Sequence, residues 1–330
     1  MSEAIVPLSS IDAAEIRERV RAAGVVGAGG AGFPTHIKLQ ARVDTVLVNA
    51  AECEPMLKVD QQLMAQQADR LIRGLGYAMT ATGAREGIIA LKAKYAPAIA
   101  ALTPRLPEWA RLHILPDVYP AGDEVLTIWL ATGRRVPPAA LPVSVGVVVN
   151  NVQTVLNIAR AVEQGYPVTR RTLTVNGAVA RPLTLAVPLG ISLREVLDLA
   201  GGTTVDDPGF INGGPMMGRA MVNLDSPVTK GCSGITVMSG RDAVRREASQ
   251  CIKCAKCVAA CPMGLEPYYL SKMTQKKGWD ALEEQMITSC IECGCCQASC
   301  PSYLPLLDWV RLGKQTVMGI IRARAAAPKK

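Results

Sequence analysis

The first half of the chain alternates between short apolar runs and longer stretches in which apolar residues recur at helical spacing. The short runs are typical of buried strands and lie at 45–49, 87–91, 112–115 and 143–149. The stretches with helical spacing lie at 9–23, 60–74, 95–103, 123–132 and 152–164. Strands and helices that alternate in this way predict an α/β layer with a mainly parallel sheet up to about residue 165.

The pattern changes after Gly165. Strand-like alternation is found at 170–176, 183–187 and 210–215, and a short helix is predicted at 193–200. Strands around a single helix favour a small α+β module of β-grasp type. A further helix, predicted at 241–249, then leads into a cysteine-rich segment.

Eight of the eleven cysteines form two runs with the same spacing, Cys-x2-Cys-x2-Cys-x3-Cys-Pro, placed 39 residues apart. This spacing is typical of bacterial ferredoxins with two [4Fe–4S] clusters, in which the fourth cysteine of each run ligates the other cluster. The predicted ligands of one cluster are Cys251, Cys254, Cys257 and Cys300, and those of the other are Cys290, Cys293, Cys296 and Cys261.

Zinc sites and disulfides are the alternative interpretations of these cysteines. Zinc sites are built from cysteine pairs without a third cysteine three residues further on. Disulfides need an oxidising compartment, for which the sequence has no signal. Cys295 is an additional thiol that breaks the spacing, and we predict that it is not a ligand. Because such clusters carry single electrons, we expect an electron source elsewhere in the chain.

A glycine-rich loop separates the first predicted helix from the first predicted strand. Gly27, Gly29 and Gly32 match G-x-G-x-x-G, but a Rossmann dinucleotide site needs a strand before this motif and a helix after it. Here a helix precedes the loop and Pro34 blocks immediate helix formation, so we exclude a Rossmann dinucleotide motif. Backbone N–H groups in such a loop can approach a phosphate or a flat ring, with Lys38 as a nearby positive charge. A tight structural turn is the alternative.

Composition and charge narrow the classes of function. The 330 residues suffice for two or three domains, and hydrophobic residues make up 49% of them. Aromatic residues make up only 4%, which excludes a stacking platform for single-stranded nucleic acid. The formal net charge is +8, and for the basic C-terminal tail we expect a solvated or partner-docking helix end and no nucleic-acid partner. No signal peptide or membrane span is predicted, so we expect a cytoplasmic protein.

Four separated motifs carry a family resemblance, namely GAGGAGFPTHIKL at 27–39, VNAAECEP at 48–55, YPAGDE at 119–124 and NNVQT at 150–154. With the β-grasp module and the cysteine runs, they resemble the family of the NADH-oxidising flavoprotein subunit of respiratory complex I. That family includes the RnfC component of the Rnf electron-transport complex and the PduS-type cobalamin reductases of propanediol-utilisation microcompartments. YPAGDE and the start at the glycine loop resemble the PduS type most.

The resemblance implies FMN as a bound cofactor and NADH as the electron donor. The residues implied around the FMN phosphate and ribityl chain are Gly27, Gly29, Gly30, Gly32 and Lys38. Those implied to contact the flavin or its tail are Asn49, Glu52, Gly122, Asp123, Asn150 and Asn151. Those implied on the NADH side are Phe33, Glu54 and Glu124. Without the resemblance, the loop that contains Glu52 and Glu54 is interpreted as solvent-exposed, and Asn150 and Asn151 are interpreted as a helix N-cap.

The resemblance also implies an architecture. It comprises an N-terminal Rossmann-like FMN-binding α/β domain, a β-grasp module called SLBB in this family, and a C-terminal α-helical ferredoxin-like domain with two [4Fe–4S] clusters. The expected boundaries are 1–165, 166–240 and 241–312, followed by a basic tail at 313–330. The chain departs from the complex I protein at Ala51, where that protein has an acidic residue, and at Ala28, where it has an arginine.

The expected function is that of an NADH-dependent flavin/iron–sulfur reductase. Electrons would pass through FMN and the clusters to a redox partner, either cob(II)alamin or a radical-enzyme system, in a bacterial microcompartment whose shell protein is a further expected partner. The alternative is an electron-relay component of an Rnf-like complex without NADH activity of its own. An interaction scaffold with degenerate cofactor sites is disfavoured by the eight intact cysteines.

Overall fold

The computed structural model describes residues 10–30, 32–244 and 246–326. The chain divides into two compact units. The first comprises Met1–Val136 with Leu141–Ala243, and the second comprises Pro137–Ala140 with Val244–Lys330. The domain boundaries expected from the sequence stay predictions.

The helices of the described residues are α1 (Ala13–Ala22), α2 (Thr35–Lys38), α3 (Val59–Gln66), α4 (Ala68–Thr82), α5 (Ala96–Leu102), α6 (Glu124–Thr132), α7 (Val152–Gln164), α8 (Leu193–Leu199), α9 (Lys256–Ala259), α10 (Pro267–Gln275), α11 (Trp279–Glu284), α12 (Cys295–Ala298) and α13 (Leu306–Ala326). The strands are β1 (Thr45–Asn49), β2 (Glu86–Lys92), β3 (Ala110–Leu115), β4 (Val147–Asn151), β5 (Arg170–Gly177), β6 (Leu183–Pro188), β7 (Gly209–Asn212), β8 (Arg219–Met221) and β9 (Gly234–Met238).

A parallel sheet with strand order β3–β2–β1–β4 forms the centre of the first unit. Buried side chains cover both of its faces, since Val46 and Val48 face the cluster that holds α4 and α7, while Leu47 and Val147 face the cluster that holds α6. The α/β layer predicted from the sequence is therefore confirmed. The strand order reverses between β1 and β4, and open α/β sheets bind ligands beyond the carboxyl ends of the strands at such a point.

The single helix predicted at 60–74 is wrong, because the structure has two helices there. Gln67 lies outside helical geometry, with φ −129° and ψ 35°, and separates α3 from α4. The second helix continues past Gly74 to Thr82 and ends at Gly83, which adopts a left-handed conformation with φ 74°. Gly74 lies inside this helix and does not end it. A glycine is needed there because α4 packs closely on the Val155 backbone of α7, where a β-carbon would clash.

The predicted strand at 143–149 begins later than expected. A 3₁₀ turn at Pro142–Val145 precedes it, Gly146 adopts a left-handed conformation, and β4 then runs from Val147 to Asn151. The predicted helix at 241–249 is also wrong. Only a 3₁₀ turn forms at Gly240–Asp242, and the described residues after it are not helical up to Cys251.

The β-grasp module is built on a mixed sheet of order β6–β5–β9–β7–β8. Strands β5 and β9 are parallel, and the remaining pairs are antiparallel. Helix α8 begins with a capping box between Ser192 and Glu195, and its Val196 packs in the same core as Val175 and Ile235. The β-grasp prediction is confirmed, and β8 and β9 are the further strands that the sequence left unplaced.

The second unit repeats itself with the 39-residue offset of the two cysteine runs. Lys253 and Glu292 both have left-handed backbone conformations, as do Ala255 and Gly294, which precede the short helices α9 and α12. Longer helices, α10 and α13, follow at matched positions. The tail predicted as a helix end is the continuation of α13 as far as Ala326, and 327–330 lie outside the described residues. No helix of the described residues has the length and apolar character needed to span a membrane.

Candidate functional site

The glycine loop is held in place by a bond between its own two ends and by two elements that are distant in sequence, α7 and β5. Its two ends are joined by a hydrogen bond from Gly27 N to Phe33 O at 2.9 Å. The backbone N–H of Ala28 donates to Thr154 Oγ1 in α7 at 2.9 Å. Its carbonyl accepts from Arg171 Nη2 in β5 at 2.9 Å. The loop is thereby fixed beside the start of α7, which continues directly from the carboxyl end of β4.

The glycines leave open space around the loop. A β-carbon on Gly30 or Gly32 would meet no atom within 4 Å, whereas one on Gly29 would lie 3.1 Å from the Asn151 side chain. Gly32 has φ 70°, a conformation that favours glycine. Phe33, at the end of the loop, is 50% exposed. A flat or phosphate-bearing group can therefore approach the backbone at Gly30 without displacing protein atoms.

Two buried polar atoms near this loop have no hydrogen-bond partner in the structure. They are the amide Nδ2 of Asn150, whose residue is 3% exposed, and the hydroxyl Oγ1 of Thr35, whose residue is 1% exposed. Asn150 lies in β4 and Thr35 directly follows the glycine loop. Buried polar atoms are almost always paired, so unpaired ones indicate a site for a ligand or an ordered water. The residues present therefore fit a polar cofactor at this point.

Lys38 lies against the end of β4. Its Nζ donates to Val149 O at 2.8 Å and forms an ion pair with Glu124 Oε1 at 3.6 Å. The structure thus brings Lys38 and Glu124 together. Asp123 caps α6 by accepting from Val125 N at 2.9 Å, and burial raises the pKa of its carboxyl.

The end of β1 is joined to the loop that precedes α6. Asn49 Nδ2 donates to Gly122 O at 2.7 Å, and Gly122 N donates to Cys53 Sγ at 3.3 Å. A β-carbon on Gly122 would lie 2.8 Å from the β-carbons of both Ala51 and Cys53, so only glycine fits this approach. Asn49 and Gly122 therefore hold the backbone before α6 against the end of β1, next to the point where the strand order reverses between β1 and β4.

The predicted flavin contacts Glu52 and Asn151 meet at Asp60. Glu52 accepts from the backbone N–H groups of Asp60 at 2.8 Å and Gln61 at 3.2 Å, while Asn151 Nδ2 donates to Asp60 Oδ2 at 2.6 Å. Burial, and then the neighbouring Asp60 carboxylate, raise the pKa of Glu52 to about 7. Burial also raises the pKa of Asp60, and the positive charge of Arg171 opposes this shift.

Glu54 points to the β-grasp module. Its carboxylate accepts from Met216 N at 3.1 Å and from Met217 N at 2.6 Å. Gly214 in the same loop is packed so closely on the Glu54 side chain that a β-carbon there would clash. Both acidic residues implied for NADH contact therefore already have protein partners. Glu54 binds the amides of Met216 and Met217, and Glu124 pairs with Lys38.

Sequence reasoning missed four side chains that shape this site: Thr35, Asp60, Thr154 and Arg171. Thr35 and Thr154 lie within the GAGGAGFPTHIKL and NNVQT motifs and were predicted only as parts of them. Asp60 and Arg171 are buried charged residues, of which Arg171 is 5% exposed. Hydrophobic periodicity cannot identify such residues, because it assigns every charged position in a strand or helix to the surface. An arginine in an alternating strand next to other polar residues gave no signal.

The structure places the fourth cysteine of each run beside the other run. Cys261 from the first run lies close enough to Cys290 and Cys296 that its charge contributes to raising the pKa of both thiols. Burial raises the pKa of the Cys257 thiol, and Cys300 from the second run raises it further. This arrangement agrees with the crossed ligand sets that the spacing predicts, and the ligand assignment itself stays a prediction.

The thiols of one predicted set line a common cavity. Its walls comprise Cys261, Cys290, Cys293 and Cys296, together with apolar side chains such as Leu270 and Val310. The same bond recurs in each run, from Lys253 N to Cys251 Sγ and from Glu292 N to Cys290 Sγ, both at 3.4 Å. Amides that point at sulfur and an apolar wall suit a sulfur-ligated cluster. Within the part of the chain that the structure describes, no group of His, Cys, Asp or Glu is arranged to hold a single metal ion.

Family models match three successive segments of the chain. They describe a Nuo51 FMN-binding domain at residues 20–160, an SLBB domain at 172–220 and a 4Fe–4S dicluster domain at 243–301. Two similar proteins are called cobalamin reductase PduS, with 72% identity in Citrobacter freundii and 70% in Salmonella typhimurium, over 79% of this chain in each case. The C component of the Na⁺-translocating ferredoxin:NAD⁺ oxidoreductase complex from Acetobacterium woodii is 40% identical over 84% of this chain and 64% of its own length. Over these three domains the chain resembles RnfC-like proteins.

This RnfC-like chain spans 60% of the length of the Citrobacter protein and 61% of the Salmonella protein. Its matched domains assign FMN and two [4Fe–4S] clusters to it as cofactors. The crystal structure of an NAD⁺-reducing [NiFe]-hydrogenase in the H₂-reduced state shares the fold, with a TM-score of 0.64 and 21% identity over 98% of this chain and 64% of the other. The air-oxidised form gives a TM-score of 0.60 and 23% identity over 83% of this chain and 54% of the other.

Proposed function

We propose that this RnfC-like chain is an NADH-dependent oxidoreductase that passes electrons through FMN and two [4Fe–4S] clusters to a redox partner. The observation that carries the proposal is the open glycine loop next to the unpartnered Asn150 amide, in a chain that also carries two four-cysteine sets. When bound, FMN accepts a hydride and releases single electrons, and the clusters accept electrons one at a time.

The chain's own residues would bind and orient the FMN. The backbone amides of the glycine loop and the Lys38 ammonium supply positive potential for a phosphate. The Asn150 amide and the Thr35 hydroxyl, both buried, supply hydrogen-bond donors with fixed positions. The charge of Arg171 favours the ionised form of Asp60, and the Asp60 carboxylate accepts from Asn151 and so would hold this side chain in position toward a bound flavin.

Phe33 is proposed to lie on the NADH side, because its ring is half exposed at the open end of the glycine loop. Glu54 is proposed to act there together with the backbone of the Gly214–Met217 loop that it binds. The nicotinamide side of the site would then be assembled from both the α/β part and the β-grasp module.

We propose cob(II)alamin as the acceptor, in a microcompartment setting, because the two relatives that are 72% and 70% identical over the aligned residues are called cobalamin reductase PduS. A radical-enzyme system and a shell protein are the further partners that we propose. The division at 165, 240 and 312 is proposed to separate the flavin, SLBB and cluster modules.

The test is reduction by NADH under anaerobic conditions. The protein is reconstituted with iron, sulfide and FMN, NADH is added, and flavin absorbance and cluster EPR are followed with time. Flavin bleaching followed by a reduced-cluster signal is expected. Clusters that are reduced by dithionite but not by NADH would contradict the proposal and favour the Rnf-like relay component without its own NADH activity.

A matched pair of variants locates the flavin in this assay. Lys38→Met is expected to weaken FMN binding about 10- to 100-fold, because a charge-assisted hydrogen bond to phosphate contributes about 1.5–3 kcal/mol. Lys58→Met removes the same charge from an exposed position before α3 and is expected to leave FMN affinity unchanged. Equal affinities in the two variants would remove Lys38 from the flavin site.

A further inference from the structure

The two cysteine runs share a backbone conformation but differ in exposure. In the first run, every residue of the loop at 252–256 is exposed, and Ile252 is 67% exposed. In the second run, the residues of the matched loop at 291–295 are half-buried or buried, and Cys293 is 8% exposed. Both runs lie in the second unit, and the walls of the cavity around Cys293 also come from this unit. The site of the first run is therefore open to solvent, whereas the site of the second run is enclosed.

The two runs also differ in charge. Residues 248–265 include Lys253 and Lys256 and no acidic residue, whereas the matched residues 287–304 include Glu292 and no lysine or arginine. Neither lysine forms an ion pair with another residue that the structure describes. The exposed loop of the first run therefore presents two positive charges to solvent.

The carboxylate of the second run is compensated within the unit. Glu292 pairs through one oxygen with Arg311 Nε and through the other with Lys314 Nζ, both at 3.2 Å. Lys314 also donates to Cys290 O at 2.7 Å. The side chains of the two cations are only 23% and 24% exposed. These cations are therefore engaged by their own unit, unlike the two lysines of the first run.

The N–H groups that follow the runs differ in the same sense. The backbone N–H of Tyr268, in the first turn of α10, hydrogen-bonds the Cys257 thiol. The matched N–H of Leu307 in α13 donates instead to Gln297 Oε1 at 3.1 Å. Hydrogen bonds to the sulfurs, nearby positive charge and exposure to solvent all stabilise the additional negative charge of a reduced cluster and so raise its reduction potential. The site of the first run therefore favours the higher potential, and electrons move toward it.

We propose that electrons leave the chain from the first-run cluster, and that the protein which carries the acceptor docks on the loop at 252–256 through an acidic surface. This cluster is the one assigned to Cys251, Cys254, Cys257 and Cys300. Ile252 gives the interface an apolar centre, and Lys253 and Lys256 give it a positive rim, which an acidic partner complements. In each transfer the reduced cluster loses one electron and the partner's acceptor gains it, without a change of bonds or protons. The inference rests on the clusters of the proposed function and not on NADH as the donor.

The test compares one electron-accepting protein in two charge states. Cytochrome c is basic, and its succinylated form carries acidic groups on the same fold around the same haem. The full chain, loaded with FMN and clusters, is reduced with dithionite, separated from the excess and mixed with each form in a stopped-flow spectrometer. The succinylated form is expected to be reduced about tenfold faster or more at low salt, and the difference should disappear as salt rises. Faster reduction of the basic form overturns the acidic partner.

Two charge-reversed double variants locate the docking surface. Lys253→Glu/Lys256→Glu is expected to slow reduction of the succinylated form about tenfold or more. Lys276→Glu/Lys277→Glu is the matched control, because it reverses two exposed lysines just beyond the last turn of α10, and its rate should stay within about twofold of the parent. Each pair contains one lysine with a left-handed backbone, Lys253 or Lys277, so an effect of this conformation on folding is shared. Equal rates in the two variants overturn docking on this loop, including the case in which the flavin delivers the electrons directly.

Potentiometric EPR titration reports on the clusters without a partner. The two clusters are expected to give signals with different midpoint potentials. Lys253→Glu/Lys256→Glu should lower the higher potential and leave the lower one unchanged, since added negative charge opposes reduction of the nearer cluster. A shift confined to the signal of lower potential overturns the first-run cluster as the exit. Because dithionite supplies the electrons, failure of NADH to reduce the flavin leaves this inference standing, and failure here leaves NADH reduction standing.

Discussion

Replacing Gly30 by alanine separates the role of the glycine loop in the fold from its role in flavin binding. The backbone at Gly30 is not in the left-handed region, and an added β-carbon meets no protein atom within 4 Å. The folded protein therefore accommodates the methyl group. If the flavin phosphate or ribityl chain approaches this backbone, the methyl group occupies space that the cofactor needs.

The two effects have different magnitudes and opposite signs. Gly→Ala at a compatible backbone position stabilises a protein by about 0.4–1 kcal/mol, because the unfolded chain loses conformational freedom. Forcing an extra methyl group into a close contact costs about 1–3 kcal/mol. Since about 1.4 kcal/mol corresponds to a factor of ten, FMN affinity should fall roughly 5- to 150-fold while the free energy of unfolding of the apoprotein is unchanged or slightly higher.

The assay is a fluorescence titration of FMN into the apoprotein, with a urea melt of each variant. Gly319→Ala is the matched control, because its β-carbon also meets no atom within 4 Å but it lies in α13 of the second unit. The control should keep its FMN affinity. An FMN affinity of Gly30→Ala within about twofold of the parent would refute close approach of the cofactor at this position, and loss of stability would refute the open geometry of the loop.

Three further outcomes are expected. Arg171→Met should lower the free energy of unfolding by about 1–3 kcal/mol for each of the two buried carbonyls, Ala28 O and Cys232 O, that lose their donor. Urea melts should show partial recovery when Asp60→Asn is added, because the charge of Arg171 favours the ionised Asp60 carboxylate, and strictly additive losses would contradict this interaction. The pKa of Glu52 is raised from 4.5 to about 7, so the folded state keeps a proton that the unfolded state releases, and stability should fall as pH rises from about 4.5 to about 7. Thermal melts of Glu52→Gln should show a smaller slope than the parent over this range, since the raised pKa of Asp60 contributes a slope of the same sign. Cys261→Ser should lower iron from about eight to about four per chain, whereas Cys295→Ser should keep about eight, and colorimetric iron analysis distinguishes them.

Local signals explain which elements the sequence predicts well. The start of α7 is specified by Asn151, whose side chain accepts from Gln153 N at 2.9 Å, and its end by Gly165 with φ 61°. The start of α6 is specified in the same way by Asp123. Such caps involve residues within four positions of each other and can therefore be recognised in the sequence.

The failures arise where tertiary contacts override local preference. Ser249 N donates to Ser302 O at 3.0 Å and Ser302 Oγ donates to Gln250 O at 2.9 Å, so this segment pairs with the loop after the second cysteine run instead of forming the predicted helix. The break at Gln67 likewise has no glycine or proline to mark it. Propensity is a weak guide at both places, because the partners lie far away in sequence.

In the candidate site, too, features set by local sequence were predicted and features set by tertiary contacts were not. Motifs predicted the glycine loop and the end of β4, because each is a contiguous stretch of sequence. They did not predict that Arg171, more than 140 residues away, binds the Ala28 carbonyl. Ala28 is also 3% exposed, which accounts for the absence of an arginine at this position, since a long charged side chain has no space there.

The reach of Arg171 into the glycine loop makes the flavin module and the SLBB module one folding unit. A fragment that stops near residue 165 would contain every residue of the glycine loop and yet lose a guanidinium that binds Ala28 O at 2.9 Å and Cys232 O at 2.5 Å. It would also lose the loop amides that bind Glu54. Exchange of SLBB modules between relatives should therefore alter flavin binding even when the flavin domain is left untouched.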